Sequence, residues 1–211
     1  SITYQYTQNE KLYKILTNTV RDLLSTQDEQ GRIATYSANA EFKGWDMWCR
    51  KYVMMGLEYY YRICKDEALK ERIVAALTKQ ADYILDHVGP ASEGKIPITD
   101  TSDMFGGINS SSILEPMLFL YRMTNEQRYL DFSTYIIECG GAKGGSVYTA
   151  AIQNNVNPYQ YSTTKAYELT SFFEGVAEYY LITGEKDAYT AAVNYYKGIK
   201  RSDLTIVGSL G

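Results

Sequence analysis

The chain has 211 residues, a net charge of −4 and a pI near 5.2, which is enough length to bury the core of one large domain. It lacks the stripe of Lys and Arg that a nucleic-acid partner requires. It also has no run of about 18 apolar residues, so nothing in it reads as a membrane span.

Asn9 to Leu24 carries Leu12, Ile15, Leu16, Val20 and Leu23 on one helical stripe. A loop follows to Gly44. Asp46 to Ile63 is apolar almost all round, which predicts a helix buried on every side. Glu67 to Val88 differs: Leu69, Ile73, Ala76, Leu77, Ile84 and Val88 form one face, and Lys70, Glu71, Lys79, Asp82 and Asp86 the other. The alternation then repeats. Ser112 to Met123 is greasy and Glu126 to Glu138 amphipathic; Lys165 to Ile182 is apolar and Asp187 to Lys200 solvated.

Each greasy helix ends in an aromatic-rich turn and a short polar corner. Tyr61, Tyr121 and Tyr180 hold the same place in three copies, 60 and 59 residues apart. A fixed period with a shared motif marks a repeat architecture. Asn125 and Gly184 suit a left-handed helix end, and Lys65 suits it less well. Thr124 with Gln127 forms a candidate capping box. The expected fold is all-α: three hairpins of an inner and an outer helix, preceded by one N-terminal helix, as part of an α/α toroid. At ~60 residues per hairpin a closed ring of six needs ~360 residues, so residues 1–211 read as a single partial toroid domain. An open α-solenoid competes, with shorter repeats.

The long loops Gly31 to Gly44, Gly89 to Ser111 and Gly140 to Thr163 each precede an inner helix. They are expected at one rim, beside helix N-termini that favour hydroxyls and anions. That rim is the predicted functional face. The 21 tyrosines, set against two Trp and one His, suit a groove that stacks on a polar ligand, although many must fill the core.

Trp45 and Trp48, beside Asp46 and Lys51, read either as a sugar platform or as core. Glu115 reads either as the partner of Ser112 in a capping box or as a polar group in a central pocket. Lys165 and Glu168, one turn apart, read either as a surface pair or as ligand contacts. Structural roles are preferred for Glu58, Glu174 and Glu178. His87, alone near the end of an outer helix, makes neither a metal site nor a triad. Cys49, Cys64 and Cys139 are odd in number and widely spaced, which reads as buried inert thiols. Gly140-Gly141-Ala142-Lys143-Gly144-Gly145 lacks a phosphate-loop pattern and reads as a flexible loop.

Leu120-Tyr121-Arg122-Met123-Thr124-Asn125-Glu126-Gln127-Arg128-Tyr129-Leu130 resembles a recurring Leu-Tyr-Arg-x-Thr-Gly-Asp-x-Arg-Tyr-Leu pattern. Trp45 to Leu57, Asn109 to Pro116 and Lys165 to Gly175 resemble further segments of the same family, in the same order. This is glycoside hydrolase family 127, the β-L-arabinofuranosidase type, whose catalytic domain is an (α/α)6 toroid. The resemblance implies a carbohydrate partner and a zinc ion held by a glutamate and three cysteine thiolates. One thiolate serves as nucleophile and another glutamate as acid/base. Those residues follow a stretch resembling Gly208-Ser209-Leu210-Gly211, and none of Cys49, Cys64 or Cys139 matches a zinc ligand. No cofactor is therefore expected in this chain, and zinc only in a longer family member. Where members carry substrate-binding histidines, this sequence offers Lys51 or Tyr52, Ser110 and Lys165, which implies a divergent branch acting on another plant or bacterial glycan.

The expectation is the N-terminal half of a toroidal glycosidase, inactive alone. Trp45, Trp48, Lys51, Asn109, Ser110, Glu115, Lys165, Tyr167 and Glu168 are its candidate substrate contacts, with the acid/base and nucleophile beyond Gly211. Uncovered inner faces imply pairing with a second copy or with the rest of the ring. The alternatives are a non-catalytic glycan- or protein-binding module, and an unsaturated-uronyl hydrolase or lyase on the same toroid. No basic start and apolar run mark a signal peptide, and a start at Ser1 is compatible with leader removal. The compartment is left open, with a periplasmic or secreted setting preferred.

Overall fold

A computed structural model describes residues 1–209; Leu210 and Gly211, part of the glycine-rich resemblance, lie outside them. Among the described residues the regular structure is all helical, with an isolated bridge between Val88 and Ile96 and no strand. Helix α1 (Ile2–Thr7) precedes α2 (Glu10–Ser25), and three hairpins follow. They are α3 (Asp46–Tyr61) with α4 (Glu67–His87), α6 (Leu114–Thr124) with α7 (Gln127–Glu138), and α9 (Ala166–Thr183) with α10 (Lys186–Gly198). The short helices α5 (Ile108–Ser111) and α8 (Val147–Gln153) lie inside the second and third long loops. The inner helices pack side by side in the order α3, α6, α9, and each outer helix returns along its own inner partner. The arrangement is consistent with a segment of an α/α toroid.

The N-terminus holds one helix more than expected. α1 is too short to show a periodic stripe, and it docks by burying Tyr4 against Tyr13, ring centroids 5.0 Å apart. Helix starts follow side-chain chemistry where the chain arrives extended. The Asn9 side chain accepts from the Leu12 N–H at 3.0 Å, and Asp66 accepts from the Leu69 N–H at 3.1 Å.

Both expected capping boxes are absent. Ser112 and Ile113 are already helical as α5 runs into α6, so Ser112 cannot take the extended cap geometry. Its hydroxyl donates instead to the Asn109 carbonyl at 2.6 Å. Thr124 is still inside α6 and donates back to the Leu120 carbonyl at 2.9 Å, while its oxygen accepts from the Glu126 N–H. Thr183 does the same with Tyr179 and Glu185, so this hydroxyl clasp is the true corner device of the second and third copies. Asn125 and Gly184 are left-handed, φ 57° and 73°, as the sequence implies.

α3 is not buried on every side. Met47, Met54, Leu57 and Tyr60 face the core, but Tyr52 and Gly56 are exposed and Trp48, Met55 and Tyr59 only half-buried. Aromatic and Met side chains score as apolar in sequence yet line an open face here. The cysteines need a similar correction: Cys64 is buried, but Cys49 and Cys139 are only partly so, all three as free thiols.

The long loops meet at one rim. The Asn109 side-chain amide donates to the Gly44 carbonyl at 3.0 Å, and the Lys143 N–H donates to the Gly106 carbonyl at 2.8 Å. The first loop is pinned from behind by the wholly buried Arg50. Its guanidinium donates to Asp46 at 3.0 Å and to Glu41 at 2.7 Å, while Asp46 also accepts from the Phe42 N–H and Glu41 from the Tyr83 hydroxyl. The third loop is packed rather than flexible. Gly141 has φ +87°, and a Cβ there would sit 2.9 Å from both the Phe172 ring and Val147, so only glycine lets the backbone approach this closely.

Candidate functional site

Trp45, Trp48 and Tyr52 recur at spacings of three and four around the start of α3, so their rings leave the helix on one face, at the rim. Trp48 stands at the centre. Its ring lies 5.9 Å from Trp45, 5.3 Å from Tyr52 and 5.4 Å from Tyr167 of α9, each edge-on at 67° to 74°. Phe105 of the second loop closes the other side, 6.0 Å from Trp45. The Tyr52 and Tyr167 hydroxyls meet at 2.5 Å. Burial, followed by the hydrogen bond to Tyr167, pushes the Tyr52 phenol above its ordinary range. The five rings form an aromatic cup drawn from three separate segments of the chain.

Lys51 is the floor of the cup. Its ammonium lies under the Trp48 and Tyr52 rings at 5.1 and 5.4 Å and donates to the Ser171 hydroxyl of α9. Burial lowers its pKa, with Glu115 and Glu174 acting in the opposite sense. Glu115, at the start of α6, is almost enclosed and one of its oxygens has no partner. Its carboxyl is pushed up to about 7, chiefly by burial; Lys51 opposes the shift, and Glu174 and Glu178 reinforce it. Of the two sequence readings of Glu115, the capping box is gone.

Lys165 and Glu168 do not pair. Lys165 is exposed, with its ammonium 5.3 Å above the Phe105 ring, whereas Glu168 points inward, 3% exposed, with one oxygen unpartnered. Beside the cup, Phe105, Ser162, Thr163, Thr164 and Lys165 line an open groove of about 310 Å³. Asn109 and Ser110 are wholly buried behind the cup, where Asn109 ties the second loop to the first.

Sequence reasoning thus named Trp45, Trp48, Lys51, Lys165 and Tyr167, which the structure brings together, and Glu115, which lies beneath them. It missed Phe105 and Ser171. Phe105 sits in a glycine-rich loop with no periodicity to flag it, and Ser171 reads as one polar residue on a greasy helix. Their only signal is spatial.

The donor set does not fit the zinc centre implied by the family resemblance. Cys49 lies in the first turn of α3, Cys64 beyond its last turn, and Cys139 at the end of α7. Among the described residues no group of three or more His, Cys, Asp or Glu converges as metal ligands. Glu58 and Glu178 lie toward the corner end of the inner helices, where Glu178 pairs with the Arg122 guanidinium at 2.9 Å. His87 bonds the Tyr83 carbonyl through Nδ1 at 2.8 Å and stacks on Phe42, with ring centroids 5.4 Å apart.

No helix among the described residues is long and apolar enough to cross a membrane. Comparison with curated proteins gives no match. The family model for the beta-L-arabinofuranosidase, GH127 catalytic domain, matches residues 1–211. An all-helical chain with its long loops gathered over an aromatic rim, matched from end to end by that model, belongs to the glycoside hydrolase family 127 catalytic-domain family.

Proposed function

We propose that the rim cup is a saccharide-binding wall of a glycoside hydrolase domain, acting on an arabinofuranoside-type residue of a plant or bacterial glycan. The observation that carries this reading is the cluster of five rings from three segments around a buried lysine. Sugar rings present faces of C–H groups edged by hydroxyls. Tyr167 at 61% exposure and Tyr52 at 39% offer ring surface for the former, and the paired tyrosine hydroxyls and Lys165 offer partners for the latter. In this reading Lys51 and Ser171 hold the rings in place, Asn109 and Ser110 support the wall from behind, and Glu115 and Glu168 add polar groups beneath it. Residues 1–211 form one partial toroid domain.

The same reading assigns the chain binding without bond cleavage, because among the described residues its thiols do not converge with a carboxylate as ligands for the family's metal-held nucleophile. The test is isothermal titration of the purified chain with arabino-oligosaccharides, alongside release of free sugar. Saturable binding that falls about tenfold in Trp48→Ala, equivalent to about 1.4 kcal/mol, with no release of sugar, supports the reading. Undiminished binding in that variant refutes the cup, and sugar release refutes the division of labour.

One observation favours a second reading. Lys165 stands over a groove lined by three hydroxyl residues, an arrangement suited to a uronic acid. A chain that binds uronate oligosaccharides and ignores neutral ones places it with the unsaturated-uronyl chemistry instead.

A further inference from the structure

At the other end of the inner helices, away from the cup, the last turns of α3 and α6 enclose a cleft of about 230 Å³. Glu58, Tyr61, Arg62, Phe119, Arg122 and Met123 line it. Glu58 is 1% exposed, yet among the described residues neither of its carboxyl oxygens has a hydrogen-bond partner. A buried carboxyl with both oxygens idle is costly unless something else meets it, so it calls for a specific explanation.

The other charged groups in the cleft indicate what that is. Arg62 makes no ion pair among the described residues; its guanidinium lies over the rings of Phe119 at 4.8 Å and Tyr59 at 5.2 Å, which holds the fork in place without neutralising it. Arg122 spends its Nε on Glu178 at 2.9 Å, and among the described residues its terminal nitrogens have no acidic partner. Two guanidinium groups exclude a cationic ligand. A neutral carboxyl between them turns from a competing anion into a donor.

We infer that this cleft is a binding site for a small oxyanion, a carboxylate, phosphate or sulfate group, held by Arg62 and Arg122 with Glu58 donating from the floor. Burial, with Glu115 adding to it and Arg62 opposing it, holds the Glu58 carboxyl well above its ordinary range, which favours the protonated form that can donate. Planar guanidinium forks match the geometry of such groups and take them bidentately. The site is independent of the saccharide reading, because no residue of the cup lines it.

The experiment is thermal unfolding and calorimetric titration of the chain with inorganic phosphate and with glucuronate, each against chloride at matched ionic strength. A saturable rise in Tm with either oxyanion, weakened at least about tenfold in Arg62→Gln and in Arg122→Gln, is the expected result. Stronger binding of phosphate identifies a free inorganic anion as the source, and stronger binding of glucuronate the acid group of a sugar. Glu58→Gln keeps an N–H donor in place of the O–H and is expected to retain binding within about threefold. The exposed control Lys197→Gln, on α10, is expected to leave it unchanged. Equal Tm in oxyanion and chloride overturns the inference, as does an equal loss of binding in Lys197→Gln, which marks general charge screening.

Discussion

Tyr52 and Tyr167 stand 115 residues apart in sequence and meet hydroxyl to hydroxyl at 2.5 Å. The contact joins α3 directly to α9 across the start of α6, and the buried Lys51 repeats the link one residue earlier through Ser171. The inner helices therefore form a tight arc at the rim, and the mouth of the cup is set by two hairpins that are not sequence neighbours.

If that contact sets the mouth, Tyr52→Phe and Tyr167→Phe should weaken the protein by the same small amount. About 0.5 kcal/mol each is expected, at the low end for a hydrogen bond because both phenols are partly wet. The double variant should lose no more than either single one. Urea unfolding of the four proteins measures the cycle; additive losses would show that the hydroxyls act separately.

Glu115 makes stability depend on pH. Its carboxyl is pushed up to about 7 in the folded chain, against 4.5 for an ordinary glutamate. Between those values the folded state holds the proton and the unfolded state has released it, so stability falls as pH rises from 4.5 to 7. Glu58, also held above its ordinary value, acts in the same sense. Glu115→Gln should flatten part of that decline, which thermal unfolding across the pH range reads directly. A decline in Glu115→Gln as steep as that of the wild type would contradict the assignment.

Arg50 supports the cup from beneath the first loop. Replacing it by Met leaves Asp46 buried without its cation and Glu41 with only the Arg32 guanidinium at 3.5 Å, and is expected to cost about 3–5 kcal/mol. Because Trp45 follows the released loop directly, saccharide affinity should fall as well. Chemical unfolding and calorimetric titration of Arg50→Met test both effects; a near-wild-type stability would show that the network carries little.

Gly141→Ala should destabilise by about 1–3 kcal/mol, since the new methyl meets the Phe172 ring and Val147 at a positive φ. Gly144 also has a positive φ, but a Cβ there meets nothing within 4 Å; its alanine variant is expected to cost less. Comparison of the two Tm values separates crowding from backbone strain.

The helices and their inner and outer roles were legible because burial imposes a 3.6-residue period, which survives in any amphipathic segment such as Glu67 to His87. Corners were legible where left-handed geometry selects residue type, at Asn125 and Gly184. Capping at Ser112 and Thr124 was misread because a hydroxyl that caps an extended chain also bonds back inside a helix, and sequence does not say which backbone precedes it. Half of the cup was legible for a similar reason: Trp45, Trp48 and Lys51 cluster locally on one helix. Phe105 and Ser171 were not, since their partners lie tens of residues away and neither has a periodic neighbour.

Trp45 and Trp48 are the only tryptophans in the chain, and both belong to the cup, so tryptophan emission excited at the red edge, where the 21 tyrosines do not absorb, reports on this site. Titration of the chain with neutral arabino-oligosaccharides should give a saturable change in emission that is lost in Tyr167→Ala, a variant that removes an exposed ring and leaves both indoles. A flat titration with the folded chain, or an undiminished signal in Tyr167→Ala, would contradict a saccharide wall at this rim.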